Sequence, residues 1–443
     1  MKYERFFQLL ETGKSRYPDA PALLFERDSL TYGELFDRVI ARRNRFLKEP
    51  GAQLGMVAPA SPEWVVILFG AVLAGKNVVL LDSSQPLETL KAAAVHTDLD
   101  TLFCEDEEYL AELTPLLKPC VMPSGGEEGK LLFFTSGTTA SNKAVVLSSR
   151  ALCYSAWNGQ QMLPCERGDV ILSILPLNHV FGFVCSLLWP LSRGAAVAIG
   201  RGMRCFATDP GFYQPTILPA VPSLTKYLLA MKAFNPALKT VLVGASPCDK
   251  ATLEAIHAMG IQVRFGYGLT ETASGLAISM TNDEPLAMAL CPDTKLRLGE
   301  DGEIFVRTPC MMDGYYHNDA ATAAVLTDGE LATGDLGYLD EAGCLHLTGR
   351  KKDFLILENG NKVFCAEWEQ QLSSLLGTET AVTIQNGKIW LTVVGPEADR
   401  ERAMEKVQWF NATQPFDQRI FNVNMRTEPL PRTQTGKLKR WAI

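Results

Sequence analysis

From Gly168 onward, short apolar runs at 170–175, 195–199, 216–218, 240–243 and 262–265 alternate with stretches of helical character. That rhythm predicts parallel sheets covered by helices, and it puts the intervening loops at the C-terminal ends of the strands, where ligands bind in such folds. After about residue 290 the pattern changes to short strands and turns, at 295–298, 303–307, 337–339 and 344–348, as expected for a β-rich subdomain. A charged junction, Gly349-Arg350-Lys351-Lys352-Asp353, follows, and a small α+β unit comes after it. The expected fold is therefore α/β: an N-terminal domain over 1–351 with mostly parallel sheets and a β-rich part, and a small C-terminal α+β domain over 352–443. No internal repeat or low-complexity tract interrupts this.

Upstream, residues 22–25 read as extended, Thr31 can cap a helix running to about 47, and 62–74 forms a helix apolar on most faces, hence buried. The end of that helix holds a decoy. Residues 70–76 match GxxxxGK, but Asn77 stands where a Walker loop needs a hydroxyl for magnesium, and Gly70 falls inside the helix, so Gly75 reads as a helix stop. A better phosphate loop lies at 131–146, LLFFTSGTTASNKAVV. There a β-propensity run delivers the chain to Thr135, Ser136, Thr138 and Thr139 as hydroxyl donors, with Gly137 allowing close approach and Lys143 adding a point charge. Taken locally, a Ser/Thr-rich exposed connection explains the stretch as well.

Charge narrows the partners. With 42 Lys+Arg against 50 Asp+Glu the net charge is −8, without long runs of one sign, so neither a nucleic-acid footprint nor a polybasic membrane anchor is indicated. Eleven scattered cysteines without a CxxC pair fit reduced thiols in a cytoplasmic protein. The first residues carry acidic groups and no signal-peptide core, and the strongest apolar run, 64–74, is far short of the ~20 residues that span a bilayer. The expectation is a soluble protein with no membrane span.

The loops in chain order resemble the adenylate-forming superfamily of acyl-CoA and aryl-CoA synthetases, luciferases and peptide-synthetase adenylation domains. The elements are the loop at 135–143, Leu175-Pro176-Leu177-Asn178-His179, Gly244-Ala245-Ser246, Gly266-Tyr267-Gly268-Leu269-Thr270-Glu271, Thr333-Gly334-Asp335, Gly349-Arg350-Lys351-Lys352-Asp353 and Pro431-Arg432-Thr433-Gln434-Thr435-Gly436-Lys437. Each is weak alone; seven in family order, across nearly the whole chain, is a specific pattern. The resemblance implies ATP and Mg2+ as cofactors and a carboxylic acid as substrate, with CoA or an acyl carrier protein as thiol acceptor. Gly244, Ala245 and Ser246 would line the adenine, Tyr267 would offer it a flat face, and Gly268 would let the backbone come close. Thr270 would reach the α-phosphate and Glu271 the metal; Asp335 would hold the ribose hydroxyls and Arg350 the ribose and phosphate. Lys437 would reach the reacting carboxylate when the small domain swings about a hinge at Lys352, and Gly360 would lie along the pantetheine tunnel. His179 would stand beside the acid.

Read singly, the residues have plainer explanations: a first-turn carboxylate for Glu271, turn chemistry for Asp335 and for 244–246, surface charge for Arg350, a core histidine for His179. The region 180–191 is apolar and aromatic, with no counterpart of the aspartate that amino-acid-activating relatives use for the substrate amine, which favours a fatty, aryl or other acid lacking an α-amine. Two departures stand out: Ala140, Asn142 and Ala144 replace the family's usual Gly, Pro and Gly, and the C-terminal unit is short between 381 and 415. Altered loop chemistry also keeps open a non-catalytic nucleotide-binding relative.

Overall fold

The computed structural model describes residues 2–118, 127–135, 143–351, 354–356, 362–385, 387–432 and 438–443. Five of its strands match the alternating runs: Val170–Ser173, Ala196–Ile199, Ile217–Ala220, Thr240–Gly244 and Gln262–Tyr267. All five are parallel, in the order Ala196–Ile199, Val170–Ser173, Ile217–Ala220, Thr240–Gly244, Gln262–Tyr267. Because both faces are covered, these strands are apolar almost throughout rather than alternating.

The β-rich region is not a sheet apart. Its strands Lys295–Leu298, Glu303–Arg307, Glu330–Leu339 and Leu345–Arg350 join the parallel strands in one fourteen-stranded sheet, through Met288–Leu290 and the pairing of Met288 with Leu345. This continuity carries Asp335 and Arg350 to the same end of the molecule as the loops after the parallel strands. A second sheet, of six strands, holds the parallel strands Gln53–Val57, Asn77–Leu80, Thr101–Cys104 and Leu131–Phe134, with Ala144–Leu147 and Gly314–Tyr315 added antiparallel.

The helix Pro62–Leu73 has ten consecutive buried residues, Trp64 to Leu73, so it lies inside the main core as its all-round apolar surface requires. Ser61 caps it, and Gly75 ends it with φ +85°, a conformation open to glycine. The neighbouring Lys76 is fully buried, and its amine donates to the carbonyls of Glu49, Pro50 (2.9 Å) and Gly51. The decoy motif is therefore a helix stop followed by a lysine that ties down a turn. The helix Tyr32–Phe46 starts at Thr31 with a reciprocal capping box to Glu34.

Residues 363–426 build a separate small core from Val363, Trp368, Leu372, Leu391, Val407, Phe410 and Val423. Its three strands, Thr380–Gln385, Lys388–Val394 and Ile420–Arg426, are covered by the helices Cys365–Leu376 and Arg400–Ala412. Among the described residues, ten cysteines are all free, and no helix is long and apolar enough to cross a membrane.

Candidate active site

The segment 266–271 organises the site. The strand Gln262–Tyr267 ends beside Thr240–Gly244, with Gly244 paired to Gly266, so Gly244-Ala245-Ser246 and Gly266-Tyr267-Gly268 leave the sheet side by side. Gly268 is the one residue type that fits: a Cβ there would fall 1.2 Å from the carbonyl oxygen of Ser274. Ala245, Ala273 and Ser274 all hold positive φ (70°, 48° and 93°), a local cost that the packed surroundings must impose.

On one side of the segment, the Tyr267 hydroxyl donates to Asp335 Oδ2 (2.9 Å), and the Arg350 guanidinium pairs with Asp335 Oδ1 (2.6 Å). Register accounts for the ion pair: Asp335 and Arg350 are directly opposed in the antiparallel pairing of Glu330–Leu339 with Leu345–Arg350. The Thr333 hydroxyl accepts from the Asp335 amide (3.1 Å) and donates to the Ile304 carbonyl. Burial, and then the Asp335 charge, push the Tyr267 phenol well above its ordinary pKa, so it keeps its proton and remains a donor.

On the other side, Thr270 and Glu271 lie in a single 3-10 turn, Thr270–Thr272. The Glu271 carboxylate accepts from the Tyr315 hydroxyl (2.7 Å), and its carbonyl accepts from the Met312 amide (2.8 Å). Tyr315 lies on the strand Gly314–Tyr315, opposite Val145, and the Lys143 ammonium stands 4.4 Å from the centre of its ring. Lys143, Tyr315 and Glu271 thus form a line from the hairpin Leu131–Phe134/Ala144–Leu147 to the 3-10 turn, joining the two sheets. Burial, then the Glu271 charge, raise the Tyr315 pKa, so this phenol too stays protonated. Nothing in the spacing of residues 310–316 marks Tyr315 as part of the site; only the pairing with Ala144–Leu147 brings it there.

At the hairpin, the Thr135 amide donates to the Lys143 carbonyl (3.0 Å), closing the ends of the loop. Ser136, Gly137, Thr138, Thr139, Ala140 and Asn142 lie outside the described residues, as do Lys352, Gly360 and Lys437. Ala144 is buried in its strand, where a side chain is accommodated. Lys351, just before the expected hinge, pairs with Glu303 (2.6 Å) and Asp301 (3.0 Å), an anchorage that composition had no means of signalling.

His179 is half-buried and precedes a continuous helical run, Val180–Gly182, Phe183–Leu188 and Trp189–Leu191, whose middle part is π-helical. Such turns recur at functional sites. The ring of Phe181, two residues on, lies against Gly244, which places this helix start next to the adenine-lining segment expected from sequence.

The fold and this site define an AMP-binding enzyme: the model of that family matches residues 10–125 and 119–316, and the chain belongs to it. Among curated relatives, the indoleacetate–CoA ligase of Aromatoleum aromaticum is 29% identical over 345 residues, covering 71% of this chain and 67% of that protein. The 2-succinylbenzoate–CoA ligase of Bacillus velezensis is 28% identical over 395 residues, covering 80% of each chain. Among solved structures, O-succinylbenzoate coenzyme A synthetase of Bacillus subtilis in complex with AMP superposes with a TM-score of 0.83 at 22% identity, over 98% of this chain and 97% of the other. An anthranilate CoA ligase in complex with anthranoyl-AMP also gives 0.83, at 20% identity.

Proposed function

We propose that the protein is an AMP-forming ligase that activates a carboxylic acid lacking an α-amine and passes the acyl group to the thiol of CoA. The observation that carries this reading is that one six-residue segment, 266–271, roots both polar networks: Tyr267 with Asp335 and Arg350, and Glu271 with Tyr315 and Lys143. The first offers a carboxylate to ribose hydroxyls and a guanidinium to phosphate, and the second a carboxylate flanked by a protonated phenol and an ammonium. The relatives' names, two of them aryl-acid CoA ligases, support the same class of reaction.

In the first half-reaction a carboxylate oxygen of the acid attacks the α-phosphorus of ATP, the bond to the β-phosphate oxygen breaks, and pyrophosphate leaves. In the second, the thiol sulfur attacks the acyl carbonyl and AMP departs with the electron pair of the broken C–O bond. Magnesium, when bound, would supply positive charge that neutralises the phosphates. Glu271 fits it as a hard oxygen ligand held by Tyr315, with Thr270 beside it. Lys143 and the hydroxyls of 135–139 would cradle the departing pyrophosphate, Gly244 to Ser246 and Tyr267 the adenine, and His179 the entry of the acid. Catalysis of this kind is positioning plus charge stabilisation. By the family resemblance, Lys437 would supply a positive charge to the first half-reaction only, through rotation of residues 352–443 about Lys352, and Gly360 would serve the pantetheine arm.

ATP–pyrophosphate exchange with a panel of aryl and fatty acids tests the reading. Acid-dependent exchange is the expected result. Tight ATP binding without exchange for any acid would leave the non-catalytic nucleotide-binding alternative.

A further inference from the structure

Tyr267 and Asp335 lie on strands four places apart in the fourteen-stranded sheet, with Ala277–Ser279, Met288–Leu290 and Leu345–Arg350 between them. Laid flat, that many inter-strand steps would separate the two backbones by about 19 Å, more than a tyrosine side chain spans. The 2.9 Å bond from the Tyr267 hydroxyl to Asp335 Oδ2 therefore shows that the sheet curls on itself here and that the phenol closes the curl. A strut alone would explain such a bond, but the way Asp335 is held points further.

Its carboxylate has two partners of different character. Asp335 is 4% exposed, and because the last torsion of an aspartate is broad, the orientation of its oxygens is decided by what they bond. Arg350 takes Oδ1 (2.6 Å), yet its side chain is 41% exposed at the last position of its strand, and in the nucleotide site proposed above its guanidinium turns to phosphate. Tyr267 is 8% exposed and packs in the main core, at the end of a strand fixed by the pairing of Gly266 with Gly244. The Asp335 amide is tied to the Thr333 hydroxyl, so the backbone opposite the phenol is held as well. Of the two partners, the tyrosine is the one that stays in place when a nucleotide draws the arginine away.

We infer that the Tyr267 hydroxyl is the positioning group that aims Asp335 at the sugar, and that selection of ribonucleotide over deoxyribonucleotide runs through Tyr267 rather than Arg350. This rests on the nucleotide site proposed above and adds to it the residue that sets its sugar specificity. With Oδ2 pinned by a neutral donor, the carboxylate keeps its charge and its remaining lone pairs for the vicinal hydroxyls of a ribose. A sugar lacking one hydroxyl leaves a buried carboxylate oxygen short of a donor, which is penalised far more than a lost apolar contact. The ring of the same side chain is the face expected for adenine, so base and sugar are registered by one rigid group.

Calorimetric binding of ATP, 2′-deoxy-ATP, 3′-deoxy-ATP and GTP with magnesium to the full-length protein, without acid or CoA, tests this in the wild type, Tyr267→Phe and Arg350→Met. The wild type should bind ATP at least about 10-fold more tightly than either deoxynucleotide. In Tyr267→Phe that ratio should fall below about threefold, while the preference for ATP over GTP persists because the ring remains. Arg350→Met should weaken ATP and both deoxynucleotides alike and keep the ratio. Each ratio is taken within one protein, so a loss of stability alone does not move it; where Tyr267→Phe does not fold, Arg350→Met decides. A ratio that Tyr267→Phe leaves intact, or one that Arg350→Met abolishes, would overturn the assignment and make the phenol a strut. A wild type that binds ATP and the deoxynucleotides equally would overturn it by removing Asp335 from the sugar, and a wild type that binds no nucleotide would refute the nucleotide site itself and the assignment with it.

Discussion

Replacing Tyr315 by phenylalanine removes one oxygen atom and leaves the ring, and with it the Lys143 contact, in place. What disappears is the 2.7 Å hydrogen bond to the Glu271 carboxylate in a buried setting. Hydrogen bonds to a charged acceptor contribute about 1.5–3 kcal/mol, and removing the outer partner of a metal-binding carboxylate typically weakens the metal by about 10- to 100-fold. If Glu271 is the magnesium ligand, Tyr315→Phe should raise the magnesium concentration for half-maximal pyrophosphate exchange by that factor while the rate at saturating magnesium changes little. Glu271→Gln, which keeps the shape and loses the charge, should shift the titration further. The double variant should add almost nothing to Glu271→Gln, because residues in one network are not additive. An unchanged magnesium response in Tyr315→Phe, or full additivity, would show that Tyr315 merely caps the 3-10 turn, and would return Glu271 to a structural role.

Three other expectations follow from separate residues. Lys437→Ala should abolish adenylation while thioester formation from supplied acyl-adenylate largely survives; equal loss in both half-reactions would refute that division of labour. Lys76→Met should lower stability by about 2–4 kcal/mol, since three carbonyls lose a buried donor, yet leave the KM for ATP unaltered, as denaturant melts and exchange kinetics would report. Asp249 accepts from the Thr252 amide and hydroxyl (2.8 Å each) and pairs with Lys226 (2.6 Å); although partial burial acts upward, these partners bring its pKa down to about 2. A carboxyl depressed in the folded state stabilises above its ordinary pKa and loses that contribution as the pH falls through about 2. Asp249→Ala should therefore cost about 1–2 kcal/mol at neutral pH, a penalty that shrinks between pH 4 and about 2 in pH-dependent melts.

What the sequence made legible was local. The parallel strands from 170 to 267, the capping box at Thr31, the buried helix at 62–73 and the stop at Gly75 each depend on residues within a few positions of one another. The helix Phe6–Arg16 escaped notice because its start lacks a local cap: the amides of Phe6 and Phe7 donate to the carboxylate of Glu128, over a hundred residues away. Site residues followed the same division. Asp335 and Arg350 were each recognisable, but their ion pair depends on cross-strand register, and Tyr315 enters the site only through a two-residue edge strand. The β-rich region was seen as strands, whereas its fusion with the parallel sheet rests on the single pairing of Met288 and Leu345.

The most direct measurement is a chase of the intermediate. The enzyme is incubated with ATP labelled in the α-phosphate and an acid that supports exchange, the bound product is isolated, and CoA is added. The account predicts a labelled acyl-adenylate that CoA converts, in saturable fashion, to one equivalent each of AMP and acyl-CoA. An adenylate that CoA leaves intact but a phosphopantetheinylated carrier protein discharges would contradict the choice of acceptor, and label appearing in ADP instead of AMP would contradict adenylation itself.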